Sequence, residues 1–247
     1  MKTVCSQTPE ELGQKAAAHA AVLLRRYIEE NGAARLLLST GASQFATLSA
    51  LVEEQLDWSK VEMFHLDEYI GLPQSHPASF VKYLQERFVD KVQLGAVHFV
   101  DTSGDIDQLI AKLTGEIQKS PIDVGLIGIG ENAHIAFNDP PADFDSEEAF
   151  VIVNLADSCR RQQLGEGWFS TIEDVPKQAV TITVKQILKC RHIISAVPYK
   201  VKAQAVYNTL TALEATPMIP STILKSHGDF SLYLDDDSAS MLDAGIQ

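Results

Sequence analysis

Apolar residues recur along the chain with two different periods. Short runs of branched and aromatic residues, typical of buried strands, alternate with longer segments whose apolar positions recur every three or four residues, as in helices. The first helical segment has Thr8 at its predicted N-cap and Pro9 at its first position, and we expect it to end near Gly32. The strand patterns that follow cover residues 35–39, 61–66, 96–101 and 123–130. The helical patterns between them cover residues 44–56, 78–90 and 105–120.

The second half of the chain is less regular. Strand patterns cover residues 149–156, 179–184, 191–198 and 230–236, and a helical pattern covers residues 201–213. Because strands alternate with helices and no repeat or linker interrupts them, we predict a single α/β domain over residues 1–247. Its sheet is predicted to be mainly parallel and doubly wound, with helices on both faces. Ligands of such sheets bind beyond the carboxyl ends of the strands.

Charge, cysteine content and hydropathy limit the kinds of partner. The formal net charge of −13 opposes binding to nucleic acid and to anionic membranes. The three cysteines do not resemble a disulfide framework, and the first residues lack the apolar segment of a signal peptide. No apolar run approaches the roughly 18 residues that a membrane span needs. We therefore expect a cytoplasmic protein whose partner is a small molecule, and an anionic ligand would require a local positive feature.

Small residues follow the first strand of the alternating pattern. They are Ser39, Thr40, Gly41, Ala42 and Ser43, and a helix is predicted to start near the last of them. Free main-chain N–H groups and the helix dipole make such a corner suitable for an anion. The alternative is an ordinary strand–helix turn with a serine cap.

Two adjacent carboxylates, Asp67 and Glu68, leave the next strand. Successive side chains of a strand point in opposite directions, so at most one of the two carboxylates should face a ligand directly. His65 and Asp67 share a face, which permits a metal pair, but nothing specifies the third ligand that a metal site needs. A turn carboxylate is the alternative for Asp67.

The stretch GLIGIGENAHIAFNDPP, residues 125–141, places ionisable groups among apolar ones. His134 is a candidate proton shuttle there, because histidine titrates near neutrality; a histidine satisfied within a turn is the alternative. Lys200 and Lys202 follow a later strand at the same edge of the sheet and could hold an anion. The alternative is that both lysines are solvated side chains at the start of a helix.

Four stretches together resemble the glucosamine-6-phosphate deaminase (isomerase) family, which is related to the 6-phosphogluconolactonases. They are STGAS (39–43), FHLDEYIGL (64–72), GIGENAHIAFNDPP (128–141) and VPYKVKA (197–203), in this order and spacing. The similarity extends from about residue 36 to residue 234, and HIAFN is its most specific part. In the lactonases a Gly-His-Thr-Ala-Ser type of sequence is expected instead.

The resemblance implies a deaminating aldose–ketose isomerase of a hexosamine 6-phosphate. Asp67 would move a proton between C1 and C2 of the sugar, with Glu68 as the alternative base, and His134 would open the ring. Residues 40–43 and Lys202 would hold the phosphate. No metal or organic cofactor is implied, and a homo-oligomer is compatible with the resemblance.

The chain departs from the family pattern beside the histidine. Asn132 and Ala133 stand where the family has Asp and Gly, and Asp139 stands where a Glu is common. Asn132 can still hydrogen-bond His134, but it carries no charge to support a protonated ring. The family's phosphate-binding arginine lies near Arg160, which is the candidate here.

Two alternative functions therefore stay open. One is a sugar-phosphate lactone hydrolase in which His134 activates water and Asp67 is dispensable. The other is a catalytically weak regulator that binds a sugar phosphate. Release of ammonia from glucosamine 6-phosphate separates these functions from the deaminase.

Overall fold

The computed structural model describes residues 1–165 and 167–242, so residue 166 and residues 243–247 of the predicted domain lie outside the described residues. The strands are β1 (Lys2–Ser6), β2 (Ala34–Leu38), β3 (Val61–His65), β4 (Asp67–Tyr69), β5 (Ala96–His98), β6 (Val124–Leu126), β7 (Phe150–Asn154), β8 (Gln178–Ile182), β9 (His192–Val197) and β10 (Phe230–Asp235). The helices are α1 (Pro9–Asn31), α2 (Phe45–Val52), α3 (Phe80–Arg87), α4 (Ile106–Ile117), α5 (Asp157–Gly165), α6 (Val184–Leu188) and α7 (Ala203–Thr211).

The central sheet has seven parallel strands in the order β1-β10-β9-β6-β2-β3-β5. From β2 the chain continues outward to β3 and β5, whereas from β6 it continues in the opposite direction to β9 and β10. The order thus reverses between β2 and β6. Such a reversal opens a crevice at the carboxyl ends of the two strands, where α/β proteins bind ligands.

The two faces of this sheet pack against different helices. Leu36 and Leu38 of β2 are buried with apolar residues of α1, α2 and α3, whereas Leu37 is buried with those of α4, α6 and α7. The alternation follows the two-residue period of a strand that is buried on both faces. The predicted α/β fold with helices on both faces is confirmed.

A close contact between α1 and α2 fixes the start of the second helix. A Cβ atom on Gly13 of α1 would lie 2.6 Å from the main-chain carbon of Ala46 in α2. Glycine is therefore required at this position, since a larger residue would push α2 outward. The loop that enters α2 is one wall of the cleft described below.

Three strands form a separate antiparallel sheet in the order β4-β8-β7. The strand patterns at residues 149–156 and 179–184 correspond to β7 and β8 and therefore lie outside the mainly parallel central sheet. The side chains of β7 alternate between more buried and more exposed positions, which an antiparallel sheet with one solvated face accommodates. The predicted strand at residues 61–66 also divides, because β3 ends at His65 and β4 begins at Asp67 in the other sheet.

The structure adds one strand and shortens several elements. β1, at the edge of the central sheet, was not predicted. The predicted strand at residues 123–130 ends at Leu126, and the residues after it turn into the cleft. None of the helices in the described part of the chain is long and apolar enough to cross a membrane.

Candidate active site

A cleft lies at the carboxyl ends of β2 and β6, where the order of the central sheet reverses. Its walls come from the loop after β2, the start of β4, the loop after β6, the turn after β9, and α5. Ser39 and Gly128 follow β2 and β6, and the Ser39 Oγ accepts a hydrogen bond from the Gly128 N–H at 3.1 Å. The two loops are therefore joined at the floor of the cleft.

The loop after β2 lines the cleft with residues 39–43. Gly41 has φ of 97°, a conformation that glycine adopts without strain. The first hydrogen bond of the following turn runs from Gln44 N to Gly41 O at 3.0 Å. The N–H groups of residues 41–43 precede this bond in the chain and form the open end of the turn. This arrangement favours the binding of an anion.

Hydrogen bonds from two directions hold this loop. The Tyr83 hydroxyl of α3 donates to the Gly41 carbonyl at 2.9 Å. The Gln44 amide donates to the Ala196 carbonyl of β9 at 3.0 Å and to the Ser43 Oγ at 3.1 Å. The loop is thus preorganised before any ligand arrives.

Lys202 reaches the same cleft from the turn after β9. Its side chain is largely buried and lines the cleft with Tyr199. Tyr199 has φ of 80°, which is unfavourable for a residue with a side chain, and both carboxylate oxygens of Asp235 accept its N–H, at 3.0 and 3.2 Å. The Asp235 carboxylate thereby stabilises the strained turn that presents Lys202. Lys200, by contrast, is exposed and does not line the cleft.

His134 also lines the cleft and belongs to a hydrogen-bonded group. The Asn132 Oδ1 is 2.6 Å from the His134 Nδ1, and the Asn132 Nδ2 donates to the Asp139 Oδ1 at 2.9 Å. The same oxygen of Asp139 is 3.3 Å from the His134 Nδ1. The structure thus brings Asn132 and Asp139, the two polar residues that the sequence placed beside the histidine, into contact with its ring.

The environment of Asp139 keeps this carboxyl ionised. Burial raises its pKa, but the hydrogen bond and positive charge of His134, together with the Asn132 amide, outweigh burial. The net pKa of Asp139 lies below its ordinary value. A negative charge therefore remains beside the imidazole although Asn132 replaces the family's aspartate.

The backbone around His134 leaves no room for side chains on its inner side. A Cβ atom on Gly130 would lie 2.2–2.4 Å from three atoms of the His134 ring, so the ring packs directly on the glycine backbone. Ala133 has φ of 67°, the left-handed conformation that its glycine counterpart would adopt without strain. The chain retains the turn geometry despite this substitution.

Asp67 faces the cleft with an unusual ionisation. Burial and the neighbouring Glu68 charge raise the pKa of Asp67 to about 8, partly opposed by the hydrogen bond from the main-chain N–H of Phe137. A carboxyl group that titrates near neutrality can both take up and release a proton during catalysis. This property suits a general base that acts on a carbon-bound proton.

The structure does not bring Glu68 to the cleft. Its carboxylate accepts hydrogen bonds from the N–H groups of Tyr69 and Val81 and from the Ser79 hydroxyl, at 2.7–2.9 Å. Burial raises its pKa to about 7, and these donors oppose the rise. Glu68 thus anchors the start of α3, while Asp67 points the other way.

Arg160 is also directed away from the residues that line the cleft. Its guanidinium donates to the main-chain carbonyls of Ile172 and Val175, at 2.5 and 3.3 Å. It therefore ties α5 to the segment before β8. Among the described residues, the cleft is lined by Lys202 and not by Arg160.

His65 does not join Asp67 in a metal pair. It is fully buried, it packs edge-on against the rings of Phe80 and Phe99, and burial lowers its pKa to about 3. Within residues 1–165 and 167–242, the side-chain groups with metal-binding geometry lie elsewhere: His134 with Asp139 and Cys159, and Glu62 with His98 and Glu116.

Several residues that line the cleft were not identified from the sequence. Tyr199 lies within a stretch that was noted only for its lysines, and Gln162 and Gln163 belong to α5 in the irregular second half. The Gln162 side chain accepts the Glu131 N–H at 3.4 Å. In the sequence, the glycines of the motif at residues 128–130 indicate close packing at Gly130. No comparable feature of the sequence indicates that the two glutamines line the cleft.

The comparisons with known proteins agree with this geometry. The family model described as glucosamine-6-phosphate isomerases/6-phosphogluconolactonase matches residues 7–232. The chain belongs to this family. Among its members, the glucosamine-6-phosphate deaminase of Staphylococcus epidermidis is 34% identical over 237 residues, which are 91% of this chain and 94% of the relative. The glucosamine-6-phosphate deaminase of Shouchella clausii is 32% identical over 94% of each chain.

Solved structures of the family share the fold. A structure described as a monomeric glucosamine-6-phosphate deaminase of the NagB superfamily has a TM-score of 0.89 at 29% identity and covers 98% of this chain and all of its own. A protein of Neisseria gonorrhoeae, described as a putative 6-phosphogluconolactonase, has a TM-score of 0.75 at 19% identity, covering 95% of this chain and 99% of its own. The latter likeness concerns the fold alone.

Proposed function

We propose that the protein is a glucosamine-6-phosphate deaminase that converts the amino sugar to fructose 6-phosphate and ammonia. The observation that carries the proposal is the placement of Asp67, a carboxyl with a raised pKa, in one cleft with His134 and with the anion-binding loop. Relatives named as deaminases at 32–34% identity support the substrate.

Binding begins with the phosphate. Residues 41–43 and Lys202 line the same cleft, and their N–H and ammonium groups would hold the phosphate and offset the repulsion from a chain of net charge −13. A phosphate held there leaves the sugar ring between Asp67 and His134. Because the loop has a fixed geometry, the entropic cost of positioning the substrate is lower.

Ring opening is the task of His134. The Asn132 Oδ1 accepts the proton of the His134 Nδ1, so the Nε2 is left as the acceptor that takes the proton of the C1 hydroxyl. The ring oxygen receives a proton as the C1–O5 bond breaks. The ionised Asp139 stabilises the imidazolium that forms between these two transfers.

Asp67 carries out the isomerisation. Its carboxylate removes the C2 proton as the C1 carbonyl oxygen gains a proton from water, which gives an enol-amine across C1 and C2, and then returns the proton to C1. An iminium forms at C2, water adds to it, and ammonia leaves as the C2 carbonyl forms. Every proton is carried by a side chain of the cleft or by water.

The decisive experiment measures ammonia release from glucosamine 6-phosphate, with galactosamine 6-phosphate and 6-phosphogluconolactone in parallel. We expect ammonia from the first substrate and slow turnover of the others. Asp67→Asn should lower the rate by about a hundred- to ten-thousand-fold and abolish exchange of the C2 proton with solvent. Asp107→Asn, on an exposed position of α4, is the matched control. Hydrolysis of the lactone without ammonia release would overturn the proposal, and so would binding without turnover.

We propose that the enzyme acts as a single chain. The solved relative described as monomeric is consistent with this view, whereas the homo-oligomer compatible with the resemblance remains a prediction. Sedimentation at the assay concentration separates the two. Cys5, Cys159 and Cys190 form no disulfide, which supports a place in the reducing cytoplasm.

A further inference from the structure

A cysteine lies beside the His134–Asp139 pair, although the proposed reaction does not use one. Cys159 of α5 is 1% exposed. Its Sγ atom, a nitrogen of His134 and a carboxylate oxygen of Asp139 lie within 4.8 Å of one another. One sulfur, one nitrogen and one oxygen donor therefore converge where the cleft meets α5.

We propose that His134, Asp139 and Cys159 bind a zinc ion that inhibits the enzyme. Zinc prefers thiolate, imidazole and carboxylate ligands in a tetrahedron, and three protein ligands leave the fourth position for water. A thiolate and a carboxylate neutralise the two positive charges of the ion, which favours binding at a largely buried place. The cleft supplies the entry path, because His134 lines it.

Asp139 has an oxygen available for the ion. Its Oδ1 accepts the Asn132 amide, whereas its Oδ2 is buried without a hydrogen-bond partner among residues 1–165 and 167–242. A buried carboxylate oxygen without a donor is costly, and coordination to a cation relieves that cost. Asp139 can therefore keep its contact with Asn132 while it binds zinc.

The inhibitory effect rests on the proposed role of His134. The Nδ1 atom lies 3.3 Å from the Asp139 Oδ1, on the side of the ring that faces this carboxylate, and is therefore the nitrogen placed to bind the ion; zinc there would displace the contact of His134 with Asn132. With Nδ1 bound to metal, Nε2 keeps its proton and can no longer accept one from the sugar. The phosphate loop is untouched, so zinc should lower kcat and leave KM nearly unchanged.

The second group with metal-binding geometry is disfavoured by charge. Glu62 is shared between His98 and Arg35, whose Nε lies 2.6 Å from the Glu62 Oε2. The guanidinium already neutralises this carboxylate and would repel a divalent ion. This group therefore serves as an internal control.

Cobalt(II) is the spectroscopic probe of the site. Titration of metal-free protein with cobalt should give a thiolate-to-metal charge-transfer band in the near ultraviolet and the visible bands of a tetrahedral ion. Cys159→Ser should abolish the charge-transfer band. Cys190→Ser, which changes another buried cysteine, and His98→Ala, which changes the disfavoured group, should retain it.

Zinc inhibition is measured for each variant against its own rate in chelator. Cys159→Ser should need at least about ten-fold more zinc for half-inhibition, because even the loss of an outer partner of a metal ligand has such an effect. Zinc-edge X-ray absorption of the unaltered protein should show one sulfur ligand at about 2.3 Å, which tests the site even if Cys159→Ser fails to fold.

A missing charge-transfer band in the unaltered protein, or one that persists in Cys159→Ser, would overturn the zinc site. A cobalt spectrum as expected in a protein that releases no ammonia would leave the zinc site standing and refute the deaminase instead. Equal zinc inhibition of the unaltered protein and Cys159→Ser would refute the inhibitory role.

Discussion

The Oδ1 atom of Asn132 lies 2.6 Å from the Nδ1 of His134 and accepts the main-chain N–H of the same residue at 3.1 Å. One amide oxygen thus fixes both the ring and the backbone of the histidine. A carboxylate is not needed for this orientation, and the adjacent Asp139 supplies the negative charge. Orientation and charge are therefore divided between two residues.

Asn132→Ala should lower kcat by about ten-fold with little change in KM. The substitution removes the acceptor that orients the imidazole, and a hydrogen bond of this kind contributes about 1–1.5 kcal/mol. Asn132→Asp keeps an acceptor and should restore most of the rate. Steady-state ammonia release measures both variants, and equal rates for Asn132→Ala and the unaltered protein would exclude the orienting role.

Gly130→Ala should lower kcat by about a hundred-fold. The added Cβ would lie 2.2–2.4 Å from the His134 ring, so the ring must move, and a displacement of about 1 Å has this order of effect on rate. The control is Gly115→Ala in α4, where a Cβ atom meets nothing within 4 Å. Similar rates for the two variants would show that the ring is not confined as described.

Asp67 should make the folded protein less stable as the pH rises from about 4 to about 8. Its folded pKa of about 8 exceeds the value of 3.8 expected when unfolded, so the folded state binds more protons throughout this interval. Stability is therefore lost with rising pH and levels off above pH 8. Asp67→Asn should raise Tm increasingly across the interval, with about 2–4 °C for each kcal/mol in a chain of this size.

The ionisation of Asp67 should also determine how the rate of the reaction depends on pH. The base form of Asp67 accumulates as pH rises through about 8, so kcat/KM should rise over that range. Thermal denaturation and rate profiles at matched pH values provide the measurements. A parallel pH dependence of Tm in the unaltered protein and Asp67→Asn would contradict the buried, raised pKa.

Lys202→Ala should weaken binding of the sugar phosphate by about 1.5–3 kcal/mol, the scale of a hydrogen bond to a charged group. Lys200→Ala, at the exposed start of the same turn, should bind normally. Isothermal titration with a non-reacting sugar phosphate measures both dissociation constants. If both variants lost the same affinity for the sugar phosphate, the overall charge of the turn would determine binding, and not the position of Lys202.

Arg160→Ala should lower stability and leave KM nearly unchanged. Its guanidinium donates to main-chain carbonyls of Ile172 and Val175, and their loss should cost about 1–3 kcal/mol. Thermal denaturation and KM for the sugar phosphate are the measurements. A large rise in KM with unchanged Tm would return Arg160 to the phosphate site.

The pattern of the first half of the chain predicted most of the fold, because buried parallel strands leave long apolar runs. The pairing of β7 and β8 could not be read in the same way, since partner choice depends on contacts between distant segments. β4, the other partner of β8, is only three residues long and follows β3 after one residue. Because a one-residue break does not change the period of apolar positions along the sequence, residues 61–66 were predicted as one strand.

Local alternation correctly separated Asp67 from Glu68, whose side chains point in opposite directions. The arginine was harder to place. Arg160 lies in a segment without a firm match to the family, and whether its guanidinium reaches a ligand or two carbonyls depends on the path of residues 172–175. That path is a tertiary property, and the sequence near Arg160 does not contain it.

The position of β10 has a consequence for the order in which the protein can assemble. β10 lies between β1 and β9 in the sheet, and Asp235 at its end holds the strained Tyr199 turn. During synthesis β1 emerges before β10, the strand with which it pairs, and some 230 residues separate the two strands. The nascent chain therefore carries β1 without its partner strand until β10 leaves the ribosome, and the Tyr199 turn gains its support from Asp235 at the same moment.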